Sequence, residues 1–393
     1  MTRTGFALSA TLGALLALTG SAAAQDAFLQ RFKAVMEEQG TTVSWGGVDQ
    51  YDRGDGRPVI ALSQVNVGMN GESTTLPVVE LIDVTEEGGG WRVGTLLLPA
   101  YSHRDGEASV FINQIEVNGM VIEPEGGTNE YGGALLYESA SVDSLVVNVD
   151  GLDVFTLDDA HVEIELPENG EPMRFSGAAE SFTAKPGAAD DPKTKAVATA
   201  MGYGDIAGYF EIDGEWDPAT GRLDMARFDI TVEDAGTIGL SLTIGGYTPE
   251  FIASLRETQA RLAANPGGDN SAAGLAMMGL AQQLTLHSAQ IRFDDDTLTE
   301  KVLEFAARQQ GARSKDVANQ AKAMVPFMTM QLGNAELTAM ATTAVSAFLD
   351  NPESLMIAAQ PAAPVPFALI MAGAMTAPQA LPQQLGVTIK ANE

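Results

Sequence analysis

Residues 141–151 read Ser-Val-Asp-Ser-Leu-Val-Val-Asn-Val-Asp-Gly, and residues 152–167 read Leu-Asp-Val-Phe-Thr-Leu-Asp-Asp-Ala-His-Val-Glu-Ile-Glu-Leu-Pro. Leu145, Val147 and Val149 share one parity, with Asn148 and Asp150 on the other. Val162, Ile164 and Leu166 alternate with His161, Glu163 and Glu165. A period of two sends alternate side chains to opposite faces, so each segment predicts a strand with one dry and one wet face. Asp150-Gly151 between them predicts a tight hairpin, because glycine accepts a positive φ without steric cost.

The same grammar extends outward. Strand-like segments at 41–48, 59–67, 76–84, 91–98, 110–117 and 135–149 are separated by breaks such as Arg53-Gly54-Asp55-Gly56 and Glu86-Glu87-Gly88-Gly89-Gly90. Residues 185–204 interrupt the series with the turn signals Pro186-Gly187 and Asp190-Asp191-Pro192 and a short helix or ordered loop at 193–201. Strands resume at 206–215, 223–232 and 236–244, with a turn at Asp217-Pro218-Ala219-Thr220-Gly221. At Pro249 the period changes to about 3.6. Phe251, Ile252, Leu255 and Leu262 predict one helix, 265–270 a loop and 272–283 a second helix; 284–293 reads as a strand. Thr297 and Glu300 match a capping box, Ser314 and Asn334 open two further helices, and 354–359 and 385–391 read as strands. The apolar segment 365–374 is bracketed by Pro364, Pro366 and Pro378 and is expected to be a buried helix.

The chain begins with Arg3, an apolar run over 6–18 and Ala22-Ala23-Ala24, the layout of a secretory signal peptide cut after Ala24. That run is shorter than the roughly 20 residues a spanning helix needs. The expectation is therefore an exported, periplasmic chain with no stable membrane span once matured. Residues 26–39 follow, with Phe28, Leu29, Phe32, Val35 and Met36 at helical spacing. With no cysteine, the chain has neither disulfides nor a lipoprotein anchor and must hold together by its core. A net charge of −30 repels phosphate backbones, which argues against nucleic acid as a partner.

Sites of chemistry are sparse in this text. His103, His161 and His287 have no second histidine at ligand spacing, so no metal is expected. Asp294-Asp295-Asp296 lacks the glycine and terminal glutamate of a calcium loop and reads as charge placed at the start of a helix. Asp158-Asp159 has the same reading. No nucleophile elbow, phosphate loop or zinc-protease motif stands in the chain, so neither a catalytic residue nor a cofactor is assigned. Methionine carries more information. Nine of the 16, including Met277, Met324, Met328, Met340 and Met371, lie in the last third. Met side chains fill core gaps or form adaptable apolar walls.

The segments Gly246-Tyr247-Thr248-Pro249-Glu250-Phe251-Ile252, Ser288-Ala289-Gln290-Ile291-Arg292-Phe293-Asp294-Asp295 and Ala362-Ala363-Pro364-Val365-Pro366-Phe367 resemble an uncharacterised exported family of Gram-negative bacteria. More distantly, an exported antiparallel meander with an N-terminal apolar helix is similar in kind to envelope proteins of the AsmA and TamB type. That resemblance implies a curved sheet with a lipid-lined groove. The combined expectation is an α+β fold: a signal peptide (1–24), a long curved antiparallel β-meander with an N-terminal amphipathic helix (25–248), and a mixed helical cap with a few strands (249–393). The cap is expected to cover the sheet's apolar face. The expected function is non-catalytic binding of an apolar or lipid-like envelope molecule, with Met324, Phe327, Met328, Phe348, Phe367 and Ile370 lining the groove. The alternative is a structural protein that recruits an envelope protein partner.

Overall fold

The computed structural model describes residues 22–69, 72–129, 131–166, 171–188, 191–264, 271–330 and 333–393. Most of the expected signal segment 1–24 and the whole of the expected loop 265–270 lie outside the described residues. The fold is α+β, an antiparallel β-meander with most of its helices in the C-terminal half. The described chain divides into two compact units. One comprises residues up to Leu97 with Asn118–Gly127, the other Leu98–Val117 with Thr128–Glu393.

The first unit opens with α1 (Ala22–Glu38), whose Phe28, Leu29, Phe32 and Val35 are buried as the helical spacing predicts. The Phe28 ring meets Trp91 edge-on, with centroids 5.5 Å apart. Arg31 is buried too. Its Nε donates to the Glu123 carbonyl at 2.7 Å and its Nη1 pairs with Glu38 at 2.7 Å. The strands β1 (Thr41–Ser44), β2 (Gly47–Asp52), β3 (Pro58–Met69), β4 (Glu72–Glu87) and β5 (Gly90–Leu98) follow. The segment 41–48, expected as one strand, is two. Gln64, at φ 51, drops out of the β3–β4 register, and β3 pairs with β1 on one side of it and β2 on the other. Val59, Ala61, Ile82 and Leu97 form a core cluster.

In the second unit β6 (Tyr101–Asp105) and β7 (Ala108–Ile112) form a hairpin. The expected strand 110–117 divides into β7 and β8 (Ile115–Ile122, which falls partly in each unit), and 135–149 into β9 (Leu135–Leu136) and β10 (Ser139–Val149). Then come β11 (Leu152–Glu165), β12 (Met173–Ala184), α2 (Pro192–Met201), β13 (Ile206–Asp217), β14 (Arg222–Val232) and β15 (Gly236–Gly245). The β10–β11 turn is as the sequence predicts: Asp150 at φ 55 and Gly151 at φ 77 join strands in which Val149 faces Leu152.

Helices enter after β15 without ending the sheet. The chain runs through α3 (Pro249–Ala264), α4 (Ser271–Ala281), β16 (Thr285–Asp295), α5 (Leu298–Gln310), α6 (Ser314–Met330) and α7 (Ala335–Asp350). It closes with β17 (Ser354–Ala359), β18 (Val365–Pro366), α8 (Phe367–Thr376), α9 (Leu381–Gln384) and β19 (Val387–Ala391). β16 pairs with β15 on one side and β17 on the other, and β19 pairs with β17.

Two local expectations change. The Thr297 side chain does not cap α5; its hydroxyl donates to the Asp234 carbonyl instead. Asp295 takes over the start of that helix, its Oδ1 accepting from the Thr299 amide at 2.8 Å and hydroxyl at 2.7 Å. The first two residues of the segment 365–374 form β18, where Val365 is buried, and the rest does become a helix, α8, none of whose residues is buried. It touches β18, α4 and α9, and those contacts leave Leu369, Met371 and Met375 exposed.

Candidate functional site

Register in the second unit collects the apolar parities of successive strands on one face. Phe210, Ile230, Ile238, Phe293 and Leu355 lie opposite one another across β13 to β17. Leu240, Ile291, Ile357 and Ile389 make the next row, and Met173, Trp216, Leu223, Ile244 and Leu286 a row towards the α3 end. The opposite face is charged: Arg227 pairs with Glu211 at 3.0 Å, Arg222 with Asp224 at 2.9 Å and Arg292 with Asp294 at 2.6 Å. The Asp294 carboxylate takes two donors from Arg292 and holds that guanidinium's pKa above its usual value.

Among the described residues, the apolar face is covered at its ends. Along α7, Leu337, Ala341, Ala344 and Phe348 are buried at spacings of four, three and four, a single stripe. Asn334 starts that helix by accepting from the Leu337 amide at 2.8 Å. The stripe lies on β17 and β19, and Phe348 meets Phe293 with centroids 6.2 Å apart. At the other end Ile252 of α3 packs against the cluster of Tyr131, Met173 and Trp216. Between them the face stays open, contrary to the expectation that the cap covers it. Ile230 is 37% exposed, Ile238 50%, Ile291 54% and Ile357 47%. The physical reason is that α5 and α6 pack on other helices, α5 on α2 and α6, and α6 on α7.

The residues singled out from sequence fall into three places. Met324, Phe327 and Met328 share one face of α6 at spacings of three and four and are 50%, 64% and 68% exposed. Pro326 stands inside that helix and removes one amide from its ladder. Val317 and Ala318 before it are buried, whereas the turns carrying Phe327, Met328 and Met330 are not. Phe348 sits in the packed stripe of α7. Phe367 and Ile370 are half-buried in the first turn of α8. Sequence reasoning missed the four isoleucines as a surface, because their parity reads as ordinary dry core.

It also missed a cavity of about 390 Å³ at the α3 end of the same face. Tyr131, Phe175, Trp216 and Tyr247 supply aromatic walls, Leu136, Leu223 and Ile252 aliphatic ones, and Arg256 the one charge. Trp216 lies 6.0 Å from Tyr131 and 5.9 Å from Tyr247 by ring centroids, and its Nε1 donates to the Tyr247 carbonyl at 2.7 Å. Asn129 shapes the loop that brings Tyr131 in, its Oδ1 accepting from the amides of Tyr131 at 3.0 Å and Gly133 at 2.9 Å. Thr248 caps α3 by accepting from the Phe251 amide at 3.2 Å, and Glu250's own backbone N–H, then the Thr248 hydroxyl, hold the Glu250 carboxyl below its usual pKa. Arg256, two turns on, donates from Nη1 to the Gly132 carbonyl at 3.3 Å and has no ion pair among the described residues.

Two further clefts mix polar and apolar walls. One of about 530 Å³ is walled by Tyr203, Asp205, Asp234 and Lys301, with the Lys301 ammonium 4.0 Å from the Tyr203 ring centroid. A smaller one in the first unit, about 240 Å³, includes Tyr51, whose hydroxyl donates to Glu80 at 2.7 Å; losing that proton beside a carboxylate is unfavourable, so its pKa is raised. The histidines lie apart, His103 on β6, His161 on β11 and His287 on β16. Among the described residues no group of three or more His, Cys, Asp or Glu side chains could hold a metal ion, and no helix is long and apolar enough to cross a membrane.

A protein-family model described as "Uncharacterized protein" matches residues 229–392. The matched stretch contains the four exposed isoleucines, all of α3 to α9 and the strands β15 to β19. No curated protein matches the chain.

Proposed function

We propose that this chain is a non-catalytic binding protein for an apolar, lipid-like molecule of the cell envelope, exported to the periplasm by its N-terminal segment. The observation that carries the reading is the exposed patch of Ile230 and Ile238 in one cross-strand row and Ile291 and Ile357 in the next, between the covered ends of the apolar face. Soluble monomers rarely leave a contiguous apolar patch of this kind without a use for it. An antiparallel meander with such a face also supports a similarity in kind to AsmA- and TamB-type envelope proteins.

Magnitude limits what the face can do alone. Fully burying an isoleucine is worth about 1.5–3 kcal/mol, so covering four half-exposed ones yields on the order of 4 kcal/mol before association costs. With those costs subtracted, binding through these four alone would be weaker than about millimolar. A useful ligand must therefore reach further apolar surface. The exposed side chains of α4, α6 and α8 (Leu275, Met278, Met324, Phe327, Met328 and Leu369 among them) are the available supply.

The test is lipid mass spectrometry on protein purified without detergent, beside an Ile238→Asp, Ile291→Asp double variant. Both positions are about half exposed, so the variant should keep its thermal midpoint while its co-purified lipid falls at least tenfold. Lipid-free wild-type protein that instead holds one protein partner would favour the structural alternative. Export is checked separately by sequencing the N-terminus of periplasmic protein, where Gln25 is the expected first residue.

A further inference from the structure

The cavity beside Trp216 is a different kind of site from the open face. We infer that it takes the head-group end of a single-chain amphiphile bearing an anionic head, a carboxylate or a phosphate, with Arg256 as the residue that selects the charge. This extends the lipid-binding reading by naming the head group, and rests on that reading only for the ligand class.

Three observations converge. The cavity, about 390 Å³, is large enough for part of a small ligand and lies at the end of the face that carries the exposed isoleucines. Its walls are mostly apolar, with Asn129 and the two tyrosines the polar exceptions. Trp216 and Met173 are buried and the indole N–H is already spent on the Tyr247 carbonyl, so the interior favours the alkyl carbons next to the head while the head itself stays by Arg256. Its single charge, Arg256, is exposed and without an ion pair among the described residues. Five other arginines of the second unit, Arg222, Arg227, Arg261, Arg292 and Arg313, are paired with acids at 2.6–3.0 Å. Arg256, like Arg308, donates to a backbone carbonyl instead, and of these it is the one that lines an apolar cavity. In a chain of net charge −30, an unpaired guanidinium at the mouth of an apolar pocket is the arrangement a carboxylate or phosphate would need. The field of the distant acids opposes an anion, but it is screened beyond about 10 Å at 0.1 M salt, whereas a contact at hydrogen-bond distance is screened far less.

Calorimetric titration of the full-length mature protein with decanoate, decyl phosphate, decanol and decyltrimethylammonium, each below its micelle concentration, tests this. The two anions should bind about tenfold or more tighter than the alcohol and the cation, the size expected of one charge-assisted contact. Whichever anion binds better identifies the head. Arg256→Gln should erase that preference while leaving decanol binding unchanged, and Arg256→Lys should keep most of it. Because Arg256 is exposed, both variants are expected to fold, which an unchanged thermal midpoint verifies. Head-group indifference in the wild type, no binding of either anion, or a preference that survives Arg256→Gln would overturn the inference. The Ile238→Asp, Ile291→Asp protein separates the two readings. Neither residue lines the cavity, so that variant should lose co-purified lipid yet still prefer anions.

Discussion

Gly208 and Gly214 stand in the apolar face of β13, opposite Phe182 and Phe175 on β12. Each glycine leaves room for the partner's ring to lie over the strand. A Cβ at Gly208 would meet the Phe182 Cζ at 2.7 Å and would run into the Thr231 carbonyl, which is backbone and cannot swing aside. Gly208→Ala should therefore destabilise the second unit by about 1–3 kcal/mol, as overpacking does, with an unchanged slope in a denaturant titration. A neutral result would mean that the strands part easily at this point. Phe175 and Phe182 are seven residues apart, so strict alternation would put them on opposite faces; the register shift between Ala179 and Phe182 returns both to one face. That the cross-strand partner must be glycine depends on register, and register is a property of two distant segments.

At the scale of elements, the β13–β14 turn and the helices α6 and α7 make separate predictions. Asp217 holds the turn with one carboxylate, Oδ1 accepting from the amides of Ala219 at 3.0 Å and Thr220 at 3.3 Å, and Oδ2 from the Thr220 hydroxyl at 2.6 Å. These donors, the hydroxyl foremost, lower its pKa. A carboxyl with a depressed folded value adds stability that is present above its unfolded value of about 3.9 and lost as pH falls through the folded one. Asp217→Ala should lower the thermal midpoint at neutral pH, and the gap from wild type should close below about pH 4. A gap independent of pH would count against the assignment. For the helices, Phe348→Ala removes a ring packed on Phe293 and should cost about 3–5 kcal/mol. Met328→Asp, on the exposed face of α6, should change stability by no more than about 0.5 kcal/mol while reducing co-purified lipid. Parallel losses of stability in both would return α6 to the core. Helical periodicity marks Met324, Phe327, Met328 and Phe348 alike as apolar. Which stripe meets the sheet was not legible, because α6 and α7 carry similar patterns and only packing ranks them.

Across the whole molecule, acids on the wet faces of strands and helices give a net charge of −30, while among the described residues the helices of the second unit cover its apolar face at the ends. Charge keeps such a chain dispersed despite that patch. Raising ionic strength to about 1 M, where the screening length is about 3 Å, should therefore promote self-association of lipid-free protein, read by light scattering. The Ile238→Asp, Ile291→Asp variant should resist it. Equal association of both proteins would place the sticky surface elsewhere, with α8 and its Met375, 87% exposed, the next element to alter.

Much of the architecture was written locally. The Asp150-Gly151 turn, the alternation of Val162, Ile164 and Leu166, the stripe of α1 and the change of period at Pro249 are all set by neighbours within a few residues, so strand, turn and helix followed from the text of the chain. What covers what did not. Ile291 and Phe293 have the same parity on one strand, yet one is open and the other lies under Phe348. The difference comes from α7 settling on β17 and β19 while α5 and α6 pack on helices. The Trp216 cavity assembles residues from Asn129 to Arg256, and Arg256 is an ordinary helical arginine until the fold places it at that mouth. Alternation is a property of a single strand, which the sequence determines; burial depends on contacts between segments far apart in the chain, which only the tertiary structure decides.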